Sequence, residues 1–481
     1  MEEFEVSYSL DNEDQFWEEI DDIVSANCPS EQLIDNALRS YFHFTTNFKD
    51  EYLRSDDEIA RCCHKLLESG LFEANRNYVR TQIVYCLLQE DEPATLQVVA
   101  SFLLFDGRAH EETFELMNKE GCFTRLLELI KLDKRDDDKL HRRLLELLYE
   151  MCRMQTLSME DLGNVDDDLI IYLFKIIEEF SDDVDDPYHY PVIRVLLVLN
   201  EQYMVASTTA APDSDTGSHH APTNRVIKTL SLHGSSYMTF GENIILLLNR
   251  ETETSLQLLI LKLLYLLFTT RATHEYFYTN DLRVLLDVII RNLLDLPNEL
   301  VSLRHTYLRV LYPLLAHTQL CEPPHYKRDE ILKVLSLLGG SANAHFAPAD
   351  DTTVRLVDRV AKVTWLRDDD ISEGEVARKL LGISLSPSQS ASSVSVVDVA
   401  GVMEKPGVQT PSRRTESDDA LHGAEETSPG KKRRHPPPPV PPPARVVLNG
   451  HKKLPPKAPP RRRTKLKSMA ASESTEARME D

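Results

Sequence analysis

Leucine and isoleucine recur at helical spacing along most of this chain, and this pattern constrains its fold more than any other feature. The clearest stripe follows positions i, i+3, i+4, i+7, i+8, i+11 and i+12: Leu282, Leu285, Leu286, Ile289, Ile290, Leu293 and Leu294. Arg283, Asp287, Arg291 and Asp295 lie on the opposite face. Asn280 or Asp281 can cap the start of this helix, and Pro297 ends it because proline lacks an amide proton.

The same spacing predicts helices from about residue 30 to residue 338. They lie near 77–89, 94–105, 122–132, 139–151, 167–180, 192–204, 225–232, 242–249, 256–268 and 300–316, with a last helix near 352–366. Alternating Val, Ile and Thr runs typical of strands are absent. Because several short helices are apolar on nearly every side, we predict an all-α, armadillo/HEAT-like helical-repeat array. A mixed helical bundle is the alternative architecture.

Composition divides the chain into five predicted parts. Residues 1–29 are an acidic N-terminal segment, and 30–380 are the armadillo-like leucine-rich domain, with a polar surface loop inserted at 207–222. Residues 381–430 are rich in Ser, Asp, Glu and Gly and are predicted to be a disordered linker. Residues 431–467 contain 13 basic residues, no acidic ones and 11 of the chain's 26 prolines, which predicts an extended polyproline segment. Residues 468–481 form a disordered tail.

Charge is distributed unevenly between the body and the tail. Residues 1–380 hold 37 basic and 67 acidic side chains, whereas residues 381–481 hold 17 basic and 11 acidic ones. A body with a net charge of −30 repels nucleic acid, so no nucleic-acid partner is expected there. The acidic start resembles no targeting leader, and the most apolar window, 256–268, is too short to cross a membrane. We therefore expect a cytoplasmic protein without membrane insertion.

Signatures of catalysis and of metal or cofactor binding are absent from the sequence. It contains no Gly-rich phosphate loop, no HExxH and no GxSxG motif. Cys62, Cys63 and His64 lack a second ligand pair at zinc spacing, and Asp166–Asp168 does not continue into a calcium loop, so both are interpreted as structural. We expect no enzyme activity, no cofactor and no metal.

The tail carries candidate ligands for SH3 domains, which bind a polyproline helix flanked by a basic residue. Three matches occur: Arg433-x-x-Pro436-x-x-Pro439, Lys453-x-x-Pro456-x-x-Pro459 and Pro456-x-x-Pro459-x-Arg461. The proline run 436–443 also suits a proline reader such as profilin. A solvated spacer, or a nuclear-localisation or nucleic-acid-binding role for the basic clusters, remains an alternative.

One segment of the acidic body is locally basic. Residues 255–316 contain six basic and five acidic side chains. Its arginines are candidate contacts for an acidic partner: Arg283, Arg291, Arg304 and Arg309. In the alternative interpretation they only pair with acidic side chains on a solvated surface.

Three stretches in this region resemble a known family: Thr239–Arg250, Tyr276–Leu282 and Leu303–Arg309. They are similar to the leucine-rich domain of the fungal low-dye-binding protein 17 family, whose animal relative is the Nck-interacting protein with SH3 domain. The resemblance covers about residues 30–370. The SH3 domain at the amino end of the animal form is not visible in this sequence.

The resemblance implies an armadillo-like domain that binds and activates the actin-related protein 2/3 complex without a pre-existing filament. The expected product is a linear actin filament that seeds branched networks at cortical, endocytic actin patches. SH3-domain endocytic proteins and the actin filament are the further partners expected. A passive scaffold that gathers SH3 proteins without activating nucleation is the alternative function, and a nuclear adaptor is a third.

Overall fold

The computed structural model describes residues 10, 12–132, 138–179, 189–209, 222–340 and 350–367. These residues form nineteen α-helices and no β-strand. In chain order the helices are α1 (Glu13–Ser25), α2 (Glu31–Asn47), α3 (Lys49–Tyr52), α4 (Asp56–Leu67), α5 (Gly70–Gln89), α6 (Pro93–Ala109), α7 (Glu112–Lys119), α8 (Cys122–Leu132), α9 (Asp138–Met154), α10 (Met159–Asn164), α11 (Asp167–Glu179), α12 (Tyr190–Thr209), α13 (Arg225–His233), α14 (Met238–Arg250), α15 (Thr254–Thr269), α16 (Thr279–Asp295), α17 (Val301–His317), α18 (Arg328–Leu338) and α19 (Asp351–Ala361).

A central row of helices runs through the described part of the chain. Its members pack side by side in the order α4, α6, α9, α12, α15, α17, α19. The helices α6, α12, α15 and α17 bury residues around most of their circumference, as expected for helices without a polar face. Each central helix from α6 onward also packs against an outer helix, namely α5, α8, α11, α14, α16 and α18 in turn.

The central and outer helices belong to a repeated unit of three elements. A central helix is followed by a short helix and then by an outer amphipathic helix, as in α6–α7–α8, α9–α10–α11 and α12–α13–α14. In the next two units the short helix is reduced to a 3₁₀ turn, Arg271–Thr273 or Gln319–Cys321. Repetition of one unit along a common core confirms the predicted armadillo/HEAT-like array and argues against a mixed bundle.

Local sequence explains where several helices begin. Ser55 and Glu58 form a reciprocal capping box at α4, with Glu58 N donating to Ser55 Oγ at 3.2 Å and Ser55 N donating to Glu58 Oε2 at 2.8 Å. Asp166 accepts a hydrogen bond from the backbone N of Leu169 at 2.8 Å at the start of α11. Asp167 and Asp168 lie in the first turn of the same helix, so this acidic cluster forms a helix start.

The array begins earlier than the sequence analysis placed it. Helix α1 lies within the predicted N-terminal segment 1–29 and buries Phe16, Trp17, Ile20 and Val24. Phe16 stacks on Phe44 of α2 with ring centroids 5.3 Å apart, so α1 is part of the core. The predicted boundary at residue 30 is wrong because these four apolar residues already follow a helical stripe.

Helix α16 matches its predicted stripe with two corrections. Six of the seven apolar residues are buried, but Leu294 is 51% exposed because it lies at the edge of the stripe, which the described helices leave uncovered. Neither Asn280 nor Asp281 caps the helix, since both lie inside it and Tyr278 occupies the N-cap position without a side-chain hydrogen bond. The helix ends at Asp295, two residues before Pro297, as predicted.

Other predicted segments lie partly or wholly outside the described residues. The predicted loop 207–222 is wrong at its start, because α12 continues to Thr209, and residues 210–221 are outside the description. The predicted linker, polyproline segment and tail, 381–481, are also outside it. Among the helices described, none has the length and apolar character needed to cross a membrane.

One lysine is buried in the most apolar helix of the central row. Lys262 of α15 is 0% exposed, and its Nζ donates to Glu201 Oε1 of α12 at 2.5 Å. Burying an ammonium group without a counter-charge is costly, so this ion pair is a condition for packing α15 against α12. The side chain of Glu201 keeps a small exposed fraction and retains some contact with water.

Breaking this pair from the two sides is expected to have unequal effects. Glu201→Leu leaves a buried ammonium without its carboxylate and should lower the free energy of unfolding by about 3–5 kcal/mol. Lys262→Met leaves the carboxylate of Glu201, which can reach water, so this variant should lower the free energy of unfolding clearly less. The double variant, which places two apolar side chains in contact, should recover most of the loss, as measured by urea unfolding followed by helical circular dichroism. Equal losses in both single variants would contradict the pairing.

Candidate partner-binding surface

The outer face of α16 carries apolar and basic side chains together. Val284 is 54% exposed and Leu294 is 51% exposed, and the exposed Arg291 lies between them along the same face. The opposite face of α16 is packed against α14, α17 and α18. This arrangement suits contact with a partner because it combines apolar area with a positive charge.

Arg283 lies at the groove between α16 and α18. Its guanidinium carbon is 5.5 Å from the ring centroid of Tyr326, which precedes α18. Tyr326 in turn donates its hydroxyl to Asp287 Oδ2 at 3.0 Å, and Lys327 Nζ is 3.2 Å from Asp287 Oδ1. Desolvation, together with the hydrogen bond to Asp287, raises the pKa of Tyr326, so the hydroxyl stays protonated and keeps donating. Arg283 is thus partly covered and held against an aromatic ring.

Arg291 lies on the other side of α16 and reaches α14. Its Nη2 donates to Asn249 Oδ1 at 2.8 Å. Because Asn249 is neutral, the contact orients the guanidinium without cancelling its charge. Arg291 therefore presents a positive charge at the surface.

Arg304 and Arg309 of α17 differ from these two residues. Arg304 Nη2 donates to the carbonyl oxygens of Leu296 and Pro297 at 3.2 and 3.1 Å, so it braces the loop between α16 and α17. Arg309 is only 8% exposed, because α17 belongs to the central row. The prediction that Arg309 extends an accessible basic surface is therefore wrong.

In the alternative interpretation the arginines only pair with nearby acidic side chains. This does not apply to Arg283, Arg291 and Arg304. Within the part of the chain that the structure describes, Arg283, Arg291 and Arg304 form no ion pair with an acidic side chain. Asp287 pairs with Lys327 instead. The basic character of this face is thus available to a partner.

A chain of hydrogen-bonded polar side chains connects α16 to α17 and α15 on the side away from the outer face. Asn292 Nδ2 of α16 donates to Tyr307 Oη of α17 at 2.8 Å, and Tyr307 donates to Gln257 Oε1 of α15 at 3.1 Å. Burial raises the pKa of Tyr307 to about 12, so its hydroxyl remains a donor at physiological pH. Three helices are thereby held in one register, which keeps the outer face rigid.

A close contact between α14 and the segment before α16 explains two of the resembling stretches. A Cβ at Gly241 would lie 3.1 Å from ring atoms of both Phe277 and Tyr276, so a larger residue there would push these rings away by a few tenths of an ångström. The hydroxyl of Tyr276 donates to the carbonyl oxygen of Tyr237 at 2.5 Å. These stretches therefore carry core packing in addition to surface residues.

Comparison with known proteins identifies the family to which the chain is similar. Residues 185–331, which include α12 to α17 and the first turn of α18, match the family model described as SPIN90/Ldb17, leucine-rich domain. Protein dip1 of Schizosaccharomyces pombe is 32% identical over 375 residues, covering 77% of this chain and 98% of the relative. Protein LDB17 of Saccharomyces cerevisiae is 30% identical over 377 residues, covering 67% of this chain and 73% of the relative. Protein LDB17 of Eremothecium gossypii is 28% identical over 353 residues, covering 67% and 74%.

The chain belongs to the SPIN90/Ldb17 family. The resemblance drawn from three short stretches of sequence is therefore confirmed. Among solved structures, an engineered protein aligns with 79% of this chain at 13% identity and a TM-score of 0.34, which is too weak to support any statement about the fold.

Three residues of this SPIN90/Ldb17 surface were missed by the sequence analysis. Tyr326 and Lys327 complete the groove beside Arg283, and Asn249 orients Arg291. The sequence could have indicated Tyr326 and Lys327, because Ile331, Val334 and Leu335 form a helical stripe that predicts α18 directly after them. No local pattern distinguishes Asn249, because its role depends on how α14 and α16 pack. The SH3-ligand residues Arg433, Pro436, Pro439, Lys453, Pro456, Pro459 and Arg461 all lie outside the described residues.

Truncation of two arginines should separate the buried position from the exposed one. Arg309→Ala removes a long buried side chain and leaves a cavity, so it should lower the free energy of unfolding by about 2–4 kcal/mol. Arg291→Ala removes an exposed contact and should cost about 1 kcal/mol or less. Urea unfolding of both variants measures the difference, and a loss at Arg291 as large as that at Arg309 would contradict the placement.

Proposed function

We propose that this protein activates the actin-related protein 2/3 complex and so nucleates linear actin filaments without a pre-existing filament. Membership of the SPIN90/Ldb17 family supports this proposal, together with what the resemblance of the leucine-rich domain implies. We further propose that the filaments seed branched networks at cortical actin patches in the cytoplasm. The chain makes and breaks no bond in this role.

Activation of this kind requires differential binding. A partner with an inactive and an active arrangement is shifted only by a protein that binds the active one more tightly. A shift from 1:99 to 99:1 takes roughly a 10⁴-fold difference in affinity. A rigid array of packed helices suits the task because it cannot adapt its shape to the inactive arrangement, and any mismatch there appears as lost affinity.

The observation that carries the surface assignment is the exposed Arg291 between Val284 and Leu294. It lies inside a locally basic segment of a strongly acidic body, within the residues that match the family model. We propose that Arg291, with Arg283 and Arg304 beside it, meets acidic groups on the complex while the two apolar residues fill shallow depressions.

Charge reversal at the surface tests both the site and the activity. Arg291→Glu should keep helicity and melting temperature close to those of the unchanged protein, because the side chain is exposed. It should reduce filament-free nucleation at least about tenfold, since one repulsive contact replaces an attractive one. The measurement is the assembly of pyrene-labelled actin with purified complex and full-length protein, without added filaments.

Arg76→Glu provides the matched control. Arg76 is an exposed arginine of α5, and its reversal changes the net charge by the same amount far along the chain. Nucleation should be unchanged in this variant. If Arg291→Glu also nucleates at the unchanged rate, the surface lies elsewhere. If the unchanged protein binds the complex but starts no assembly, the passive scaffold is the correct function.

The proline-rich segment is proposed to recruit SH3-domain endocytic proteins, and profilin is a further candidate for its proline run. Both proposals rest on the PxxP motifs and their flanking basic residues. This recruitment would bring the nucleating body to its site of action and would raise its local concentration there. It requires no contact with nucleic acid.

Replacing Pro456, Pro459 and Arg461 with Ala should remove the two overlapping ligands in this stretch. Recovery of SH3 proteins from extract on immobilised full-length protein should fall, while nucleation by the body should be unaffected. The variant Pro455→Ala/Pro460→Ala/Arg463→Ala has the same change in composition but keeps both motifs, so it should recover SH3 proteins normally. Equal recovery on both variants would exclude this stretch as a ligand and leave Arg433-x-x-Pro436-x-x-Pro439 as the candidate.

A further inference from the structure

An open groove separates α2 from α5 near the start of the array. The two helices run in the same direction, because Asp35 early in α2 accepts a hydrogen bond from Tyr78, at 2.9 Å, and Thr46 late in α2 contacts Thr95, just beyond α5, at 3.1 Å. The space between them has a volume of about 650 Å³. It is therefore large enough to receive the side chains of another element.

The groove is lined by one stripe from each helix. The α2 stripe follows helical spacing from Asp35 to Asn47, and the α5 stripe contains Gln82, Tyr85, Cys86 and Gln89. Two such stripes form parallel ridges, and a third helix can pack its side chains between them. Twelve residues of α2 rise about 18 Å, so the groove accommodates roughly three turns of helix.

Four of the fourteen residues that line the groove are apolar and lie together in it. They are Leu38, Phe42 and Cys86, with Tyr85, which remains 38% exposed, beside them. Burial raises the pKa of the Cys86 thiol to about 11, so the group is protonated and uncharged. An exposed aromatic side chain next to buried apolar ones is typical of a surface that a partner covers.

Charge is arranged along the groove in a definite order. Asp35 lies at one end, and Glu90 and Glu92 lie at the other, while Arg39 and His43 lie between them. Residues 12–132, which contain the groove, carry 24 acidic and 11 basic side chains. The groove therefore favours an occupant with positive charge at both ends and none in the middle.

We propose that this groove binds a short amphipathic helix of a partner protein, about three turns long, with a basic residue near each end and an apolar face between them. The apolar face covers Phe42 and Tyr85, and the basic residues meet Asp35 at one end and Glu90 with Glu92 at the other. This site is distinct from the surface on α16, and its partner need not be the one that α16 contacts.

Binding to designed peptides tests the proposal with the full-length protein. The first probe is a fluorescent peptide of about 14 residues with a leucine stripe and basic residues at both ends. The second has the same composition but carries its basic residues in the middle, opposite Arg39 and His43. The third has the sequence of residues 431–467, which supplies a basic proline-rich occupant instead of a helix. Fluorescence anisotropy should show the first peptide binding at least about tenfold more tightly than the other two.

Two lysine variants locate the site. Gln82→Lys/Gln89→Lys places two positive charges inside the groove, and neither glutamine side chain makes a hydrogen bond among the described residues. Ser40→Lys/Asn77→Lys adds the same two charges to exposed positions outside the groove lining. The first variant should weaken the first peptide by about tenfold or more, and the second should leave its affinity nearly unchanged.

Several outcomes would overturn the proposal. Equal affinity for the two helical peptides would mean that the order of charges does not matter. Equal weakening in the two lysine variants would show only a general attraction of cations to an acidic body. Tightest binding of the proline-rich peptide would identify an extended occupant and exclude the helix. Normal nucleation in the groove variant would leave the function proposed for the α16 surface unaffected.

Discussion

Burial of the central helices α6, α12, α15 and α17 around most of their circumference is the constraint on which the rest of this array depends. Helix α15 buries twelve of its sixteen residues, and a fully buried leucine contributes about 1.5–3 kcal/mol relative to an exposed one. Such a helix is stable only when neighbours cover all of its faces, so α12, α17 and α14 are each required around it. The outer helices need cover on one face only, which leaves their other faces free to carry the charged and apolar side chains of a binding surface.

Much of this architecture follows from sequence, because helical spacing of apolar residues depends only on the chain itself. The stripe of α16 and its end before Pro297 are of this kind. Features that depend on how neighbouring helices pack could not be predicted from the spacing of apolar residues. Leu294 belongs to the stripe but stays exposed, since it lies at the edge that the described neighbouring helices leave uncovered, whereas Leu293 beside it is buried. Tyr278 occupies the N-cap position of α16, and Asn280 and Asp281 lie inside the helix. Packing of Tyr276 and Phe277 against α14 determines where α16 begins.

The four candidate arginines show the same limit more sharply. In the sequence each follows the same local pattern, a basic residue among leucines on a helix. The structure separates Arg309 from Arg283 and Arg291 by the row to which each helix belongs, while Arg304 lies in the first turn of α17 and contacts the loop after α16. Helix α17 lies in the central row, so Arg309 is buried, whereas α16 lies in the outer row, so Arg291 is exposed. Knowing that an array forms is not enough to assign a surface, since the assignment needs the role of each helix within its repeat.

Apolar side chains left exposed on well-packed helices are common and usually need no explanation. Val284 and Leu294 differ because Arg291 lies between them, and because they interrupt an otherwise regular pattern within the family's matched segment. Tyr85 differs because it lies beside Leu38, Phe42 and Cys86 in a groove with acidic ends. Departures from local patterning concentrate at functional sites, since a folded chain gains nothing from them by itself. In an array whose core is already complete, the remaining apolar area on the outer helices is available for partners.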